Sequence, residues 1–343
     1  MTGRTKIQWA THSANTFVYP EGGWHCVKVS EGCRNCYSEA MNRRFGSSRG
    51  NGRRYRVGSA AELGAVSLNQ TMLDQWSRMR TTHRIFVNSM TDTFLESHPT
   101  EMIWSLFDAM AAAPQQLFYV LTKRAERMAA VVEDWLDLRG RSAVPENIMC
   151  GVSVEHQRAA KTRLHWLRRL PALRFLSVEP LLEPVTLRDH LPSIHEVFLG
   201  GESGTKARAM RPEWASTVWE ETAAARVSLF FKQWGAWWPL KELATYHGAP
   251  DNALAYASFA FVDPDGRMTR GADAFDGRYA PQRRSVKPIT ADGDYGDLLL
   301  VVKPLKEQQP ARATLNGLAR EEHSDRHGVF APVKAQYTQE SWL

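Results

Sequence analysis

The sequence predicts an α/β fold, a parallel (β/α) barrel, complete or partial, with a less regular C-terminal extension. Three observations predict it. Short apolar runs alternate with helical segments at roughly 30-residue spacing from Arg84 to Trp234. The runs are continuously apolar, the pattern of parallel strands covered on both faces by crossover helices. Each run ends in polar or charged residues, as strands do when they deliver side chains to the C-terminal rim of a barrel. No glycine fingerprint follows the first strand, which argues against a dinucleotide fold.

Taken in order, Thr5 to Ala10 and Asn15 to Tyr19 read as short extended segments leading into a cysteine-bearing loop. Ser38 to Phe45 is helical in composition, and Gly46 to Gly58, rich in Gly, Ser and Arg, reads as a surface loop or inserted flap. The strands Arg84–Asn88, Gln116–Leu121, Asn147–Val152, Leu173–Val178, Glu196–Leu199 and Ser228–Phe231 follow. Helices are expected over Met102–Ala113, Glu126–Leu138, Arg158–Leu170 and Pro212–Arg226, with apolar spacing such as Ile103, Leu106, Phe107 and Met110. With an early strand before the cysteines the count reaches seven, which favours a barrel over a flat sheet. After Trp238 the rhythm decays. Asp263-Pro264-Asp265-Gly266 is a turn signal, Leu298–Val302 one more strand, and the chain from Leu305 is polar. Residues 1–238 thus read as the barrel, with its cysteine loop and arginine-rich insertion, and 239–343 as a partly ordered extension.

The chain has 343 residues, 43% of them apolar, and 12 tryptophans, enough for a sizeable core. No run of about 18 apolar residues is present, so no membrane span is expected. No apolar signal core follows Met1, and four cysteines are too few for a disulfide framework. The expectation is a cytoplasmic protein. The net charge of +6 is modest, so its distribution matters more than its size.

Three of the four cysteines lie in Cys26-Val27-Lys28-Val29-Ser30-Glu31-Gly32-Cys33-Arg34-Asn35-Cys36, a C-x6-C-x2-C spacing. One loop can bring three thiolates round one metal centre, with Gly32 admitting a sharp turn before the tight half of the clamp. An iron–sulfur cube held at three corners leaves one iron open, and radical S-adenosylmethionine (SAM) enzymes use that open iron to bind and cleave SAM. Their usual spacing is C-x3-C-x2-C; this loop keeps the C-x2-C half and lengthens the other. A structural zinc could use the same thiolates with His25 or a distant histidine. A redox C-x2-C is a third option and leaves Cys26 unexplained. Cys150, inside a strand, reads as a small core residue.

The strand ends carry Asn88 and Asp92, Thr122 and Lys123, Ser153 and Glu155, Ser177 and Glu179, Glu202, and Lys232 and Gln233. Singly, each is a plausible cap or salt-bridge residue; as a set they suggest one functional rim. Arg43, Arg44, Arg49, Arg53, Arg54 and Arg56 fall within fourteen residues, interleaved with Tyr55. Such a strip reads either as a solvated flap or as a contact for nucleic-acid phosphates.

These runs together resemble a phage and prophage family of unknown function, the three-Cys-motif proteins. The motifs are Cys26–Tyr37, Arg84–Asp92, Leu121–Arg124, Gly151–Glu155, Ser177–Leu182, Gly200–Gly204 and Phe230–Gly235, in that order between about Lys6 and Trp238. The family looks like a divergent relative of radical SAM enzymes. The resemblance implies a radical SAM-like barrel, a 4Fe–4S cluster on Cys26, Cys33 and Cys36, SAM as cosubstrate, and an electron donor such as flavodoxin or ferredoxin. Gly200-Gly201-Glu202 resembles the segment with which radical SAM proteins hold the SAM amino group. It comes late in the strand order, and Asn88-Ser89-Met90 fills the usual second-strand slot, so either is a candidate. Lys123, Glu155, Glu179 and Lys232 are candidates for contacts to the SAM carboxylate, its ribose or a substrate, in chemistry that asks mainly for positioning. The reading that follows is a radical SAM-like enzyme modifying or repairing a nucleic acid or nucleotide, whose target base must leave its stack to reach the barrel mouth. The alternative is a non-catalytic, zinc-stabilised nucleic-acid-binding protein.

Overall fold

The computed structural model describes residues 2–5, 7–20, 22–45, 55, 66–204 and 206–235, and four short strands between 238 and 304. One sheet organises it. Strand β1 (Gly3–Arg4) pairs antiparallel with β2 (His12–Ala14), and β2 pairs in parallel with β3 (Arg84–Val87). Every later strand then joins its predecessor in parallel: β4 (Leu117–Thr122), β5 (Ile148–Ser153), β6 (Leu173–Val178), β7 (Glu196–Gly200) and β8 (Ser228–Gln233). Strand order follows chain order, and β1 and β8 form the two edges, so the barrel is partial.

The sheet is strongly curled. Neighbouring strands lie about 4.8 Å apart, so β4 and β7 would be roughly 14 Å apart in a flat sheet. Instead the rings of Tyr119 on β4 and Phe198 on β7 have centroids 5.7 Å apart, and the Tyr119 hydroxyl donates to Glu196 at 2.9 Å. Alternation of side chains sorts the strands into two faces. Phe86, Tyr119, Met149, Phe175 and Phe198 point inward and close on Trp9, which stacks on Phe198 at 4.4 Å. Their neighbours Ile85, Val87, Phe118, Val120, Ile148, Cys150, Val152, Leu176, Val178, Val197 and Leu199 point outward into the main core.

Helix α1 (Tyr37–Phe45) follows the cysteine loop, and α2 (Gln70–Arg78) precedes β3. Crossover helices α3 (Thr100–Ala111), α4 (Ala125–Leu138), α5 (Gln157–Leu167) and α6 (Pro212–Ala224) cover the convex face. Between β6 and β7 the connection carries only a short helical turn, Leu191–Ser193.

The predicted strands and crossover helices are present within a few residues of their expected ends. Two local expectations differ. Ile7–Ala10 is not a strand: the Ala10 amide donates to the Ile7 carbonyl across a turn, which swings Trp9 into the inner aromatic cluster. Helix α2 was not expected; the Asn69 side chain caps it by accepting from the Met72 amide, and it buries Met72, Leu73 and Trp76. Beyond the barrel, Trp238–Pro239, Val301–Pro304, Phe259–Val262 and Met268–Arg270 form an antiparallel sheet in that order. The turn signal at Asp263–Gly266 falls between two of its paired strands. Leu298–Leu300, the tail from Leu305, and Arg49, Arg53, Arg54 and Arg56 lie outside the described residues.

Candidate functional site

Parallel strands put all their C-terminal ends on one edge, and the period of two decides what reaches it. On β4 the inward series runs Tyr119, Leu121, Lys123; on β5 Met149, Gly151, Ser153, Glu155; on β6 Phe175, Ser177, Glu179. Aromatic residues floor the half-barrel and charged residues form its rim. Lys123 and Glu155 pair at 3.1 Å, and Lys232 and Glu179 pair at 2.9 Å. The expected rim residues therefore meet across strands.

Glu155 is fully buried. Arg163 of α5 approaches its other oxygen at 2.5 Å, and Ser30 of the cysteine loop donates to it at 2.7 Å. Burial alone would raise its pKa, but the two cations and the hydroxyl hold it down at about 2. Glu202 accepts from the Arg208 guanidinium at 2.7 and 3.0 Å, from the Arg208 amide at 2.8 Å and from Asn35 at 3.0 Å. Those donors hold its carboxyl below the ordinary range although burial opposes them. Asp92 accepts from Thr122 at 2.6 Å, from the Lys123 amide at 3.1 Å and from Arg124 at 3.2 Å.

The cysteine loop lies against this rim. Arg124 donates to the Val27 carbonyl at 3.1 Å, Arg208 to the Glu31 carbonyl at 2.8 Å, and the Tyr37 hydroxyl to the Ser89 carbonyl at 3.0 Å. Thr91 donates to the His25 carbonyl. Cys26, Cys33 and Cys36 are half-buried free thiols, and Cys150 is a free thiol sealed in the core. Burial, with the Asp92 carboxylate nearby, pushes the Cys26 thiol up to about 12. Ser30 lies 3.7 Å from the Cys33 sulfur and Ser38 lies 3.0 Å from that of Cys36. Among the described residues no group of three His, Cys, Asp or Glu is gathered tightly enough to hold a single metal ion. The donor set does fit a larger group: three thiols without disulfide partners, on one loop, over a rim of fixed charges.

Gly32 is needed for a reason other than a turn. A Cβ there would sit 2.5 Å from the Glu155 side chain, so the glycine admits close approach of loop and carboxylate. A Cβ on Gly201 would collide with the Trp234 carbonyl, so this glycine, just after β7, lets the backbone pass close to Trp234–Gly235. Asn88, in the left-handed region at φ 57°, accepts from the Thr16 amide and hydroxyl at 2.8 and 3.0 Å and donates to Thr93 at 3.0 Å. Its side chain is engaged in locking the β3 end to the chain after β2. The Ser89 hydroxyl lies 3.5 Å from Asn15. Tyr55, read above as part of an arginine strip, is buried with its hydroxyl on the Met90 carbonyl at 2.7 Å, whereas Arg43 and Arg44 are exposed. Arg124, Arg163 and Arg208 were missed by sequence reasoning. Arg124 closes the Leu121–Arg124 motif without having been given a role, and Arg163 stands as a cation beside the apolar stripe of α5.

No curated protein matches the chain. Among solved structures, a cysteine-to-serine variant of spore photoproduct lyase has a TM-score of 0.43 at 12% identity, over 67% of this chain and 79% of that one. A tyrosine-to-phenylalanine variant of the same lyase gives 0.43 at 11%, over 67% and 78%. A doubly substituted form with bound AdoMet and dinucleoside spore photoproduct gives 0.38 at 11%, over 64% and 63%. No helix among the described residues is long and apolar enough to cross a membrane. Residues 4–312 match the family described as protein of unknown function (DUF5131), and the chain belongs to that family.

Proposed function

We propose that the protein is a radical SAM-type iron–sulfur enzyme acting on a nucleic acid or nucleotide, with residues 1–238 as its catalytic part. Cys26, Cys33 and Cys36 would hold a 4Fe–4S cluster that, when bound, supplies one-electron reductive cleavage of SAM, the electron coming from a donor such as flavodoxin or ferredoxin. The observation that carries the reading is the seating of a three-thiol loop on the charged rim of a parallel half-barrel. Glu179 and Lys232 are the rim pair for which no hydrogen bond to the cysteine loop is seen among the described residues, and part of both side chains is exposed. Lys232 can receive a carboxylate or phosphate, and Glu179 an ammonium or ribose hydroxyl. Asn88, Ser89, Gly200, Gly201 and Glu202 act as supports for this pocket more than as ligand groups, because their side chains and backbone are already engaged.

Anaerobic reconstitution tests the proposal. A brown protein with near-equal iron and sulfide, releasing 5′-deoxyadenosine and methionine from SAM under a strong reductant, is expected. Cys26→Ala, Cys33→Ala or Cys36→Ala should each abolish the iron, and Cys150→Ala should retain it. A colourless protein carrying zinc would return the alternative of a metal-stabilised binding protein. The substrate class is tested by salt: replacing Arg49, Arg53, Arg54 and Arg56 with Ala should flatten the salt slope of duplex binding by roughly 3 to 4. A wild type that binds no nucleic acid at low salt points instead to a small nucleotide or peptide.

A further inference from the structure

The contacts between rim and cysteine loop follow a pattern. Asp92, Glu155 and Glu202 stand beyond the ends of alternate strands, β3, β5 and β7. Each is tied to an arginine: Arg124 at 3.2 Å, Arg163 at 2.5 Å and Arg208 at 2.7 Å. Each such pair then touches the loop beside a different cysteine. Arg124 holds the Val27 carbonyl, next to Cys26. Glu155 accepts from Ser30, whose hydroxyl lies against the Cys33 sulfur, and packs on Gly32. Glu202 accepts from Asn35, next to Cys36, while its partner Arg208 holds the Glu31 carbonyl.

We propose that these three pairs are positioning residues for the cysteines, one pair to each thiol: Asp92–Arg124 for Cys26, Glu155–Arg163 for Cys33 and Glu202–Arg208 for Cys36. The inference deepens the cluster reading and rests on it only for the identity of the bound group. A fork of two donors fixes direction as well as distance. Arg208 grips Glu202 in this way, whereas Arg124 spends one nitrogen on Asp92 and another on the Val27 carbonyl, and Arg163 reaches Glu155 through one nitrogen. Three anchors set around the curved rim fix a loop in position and in tilt, so the thiols are placed before any group binds. The rim thereby divides its labour. The carboxylates beyond β3, β5 and β7, with Arg124 at the end of β4, hold the loop, and Glu179 beyond β6 and Lys232 on β8 pair with each other.

The test reads each thiol separately in the protein without bound metal. Under anaerobic, reducing conditions, the iodoacetamide rate of every cysteine is followed by peptide mass spectrometry. Arg124→Lys, which keeps the positive charge beside Cys26 and loses the planar group that reaches Asp92 and the Val27 carbonyl together, should speed Cys26, Ser30→Ala should speed Cys33, and Asn35→Ala should speed Cys36, each by about tenfold, the loss of one charge-assisted hydrogen bond. The other two thiols should stay within about twofold of wild type. Ser30→Ala and Asn35→Ala alter the loop and leave the rim carboxylates and their arginines intact, so they report even where Arg124→Lys folds poorly. Arg208→Lys, which keeps the charge and loses the fork, should loosen Cys36 as Asn35→Ala does. Equal acceleration of all three thiols, or of none, overturns the assignment. Failure of the cluster reading looks different: a one-to-one thiol pattern in a protein that takes up no iron and sulfide keeps the positioning role and removes the cluster. Iron and sulfide uptake with uniform thiol rates keeps the cluster and removes the positioning role.

Discussion

Glu196 and Glu155 are the same residue at opposite ends of one sheet, both buried, and their surroundings drive them in opposite directions. Glu196 opens β7 at the aromatic floor. Burial raises its pKa, while Arg84 and the Tyr119 hydroxyl, which donates to its side chain, offset only part of the effect. Glu155 lies beyond β5 at the rim. Burial acts on it in the same sense, yet Lys123, Arg163 and Ser30 outweigh burial and hold it at about 2. Burial therefore does not decide the charge of an interior carboxyl here; the number and sign of the groups aimed at it do. Burial pushes the floor carboxyl toward its neutral form, and the cations and the hydroxyl at the rim favour the charged form. A rim built this way is suited to orient a polar loop and polar ligands, and a floor of stacked rings is suited only to close the barrel.

The largest effect should come from removing the rim charge. Glu155→Ala leaves Lys123 and Arg163 facing each other without a counter-ion, and loss of one partner of a buried pair costs about 3 to 5 kcal/mol. Denaturant unfolding of the variant measures it. A loss under about 1 kcal/mol would mean that water screens the rim and that the contrast with Glu196 is not one of environment. The floor should answer nearly as strongly to a different change. Phe198 is fully buried against Trp9, so Phe198→Ala should cost about 3 kcal/mol or more through lost transfer energy and a cavity. Its thiol reactivities should match wild type, because Phe198 packs in the aromatic cluster at the opposite end of the strands from the rim.

Acid should separate the two ends by sign. The folded-state pKa of Glu155 lies below its unfolded value, so its contribution is fully present above about 4.5 and is lost as pH falls through the folded value near 2. That limb is worth on the order of 3 kcal/mol. Stability of the wild type should therefore fall between about pH 4.5 and 2, and Glu155→Gln should fall less over the same range. Equal acid limbs in the two proteins would place the responsible carboxylates elsewhere.

The legibility of the sequence divides along the same line as the molecule. The floor and the strands were readable because burial writes itself into apolar runs: Ile85-Phe86-Val87 and Phe118-Tyr119-Val120 admit few other readings. The rim residues Lys123, Glu155, Glu179 and Lys232 were readable as a set because every strand ends alike. Their partners were not. Arg163 meets Glu155 from a helix, Arg208 turns back on Glu202 within one irregular segment that has no periodicity, and no local pattern encodes its contact with Glu31, 177 positions away. Gly32 was noticed for the wrong reason, since a glycine required by a neighbour's side chain looks the same in sequence as one required by a turn. Trp9 was missed because a turn, which carries no periodicity, delivers it to the aromatic floor.

The smallest predicted effect is the sharpest test of the comparison. Glu196→Gln keeps an oxygen to accept from the Tyr119 hydroxyl and cannot ionise. A carboxyl whose folded pKa lies above its unfolded value stabilises the fold below about 4.5, and that contribution fades as pH rises through the folded value. The amide has no such limb. At pH 4 the variant and the wild type should have equal stability within about 0.5 kcal/mol, because both present a neutral group to Tyr119. At pH 8 the variant should be the more stable, by about 1 kcal/mol or less, since Arg84 recovers part of the penalty in the wild type. Chemical denaturation at the two pH values measures the difference directly. Should Glu196→Gln instead lose stability at pH 8 while remaining neutral at pH 4, Glu196 carries its charge in the folded protein and is paired with Arg84. The floor would then hold an ion pair of its own, and the two ends of the sheet would differ in number of charges but not in kind.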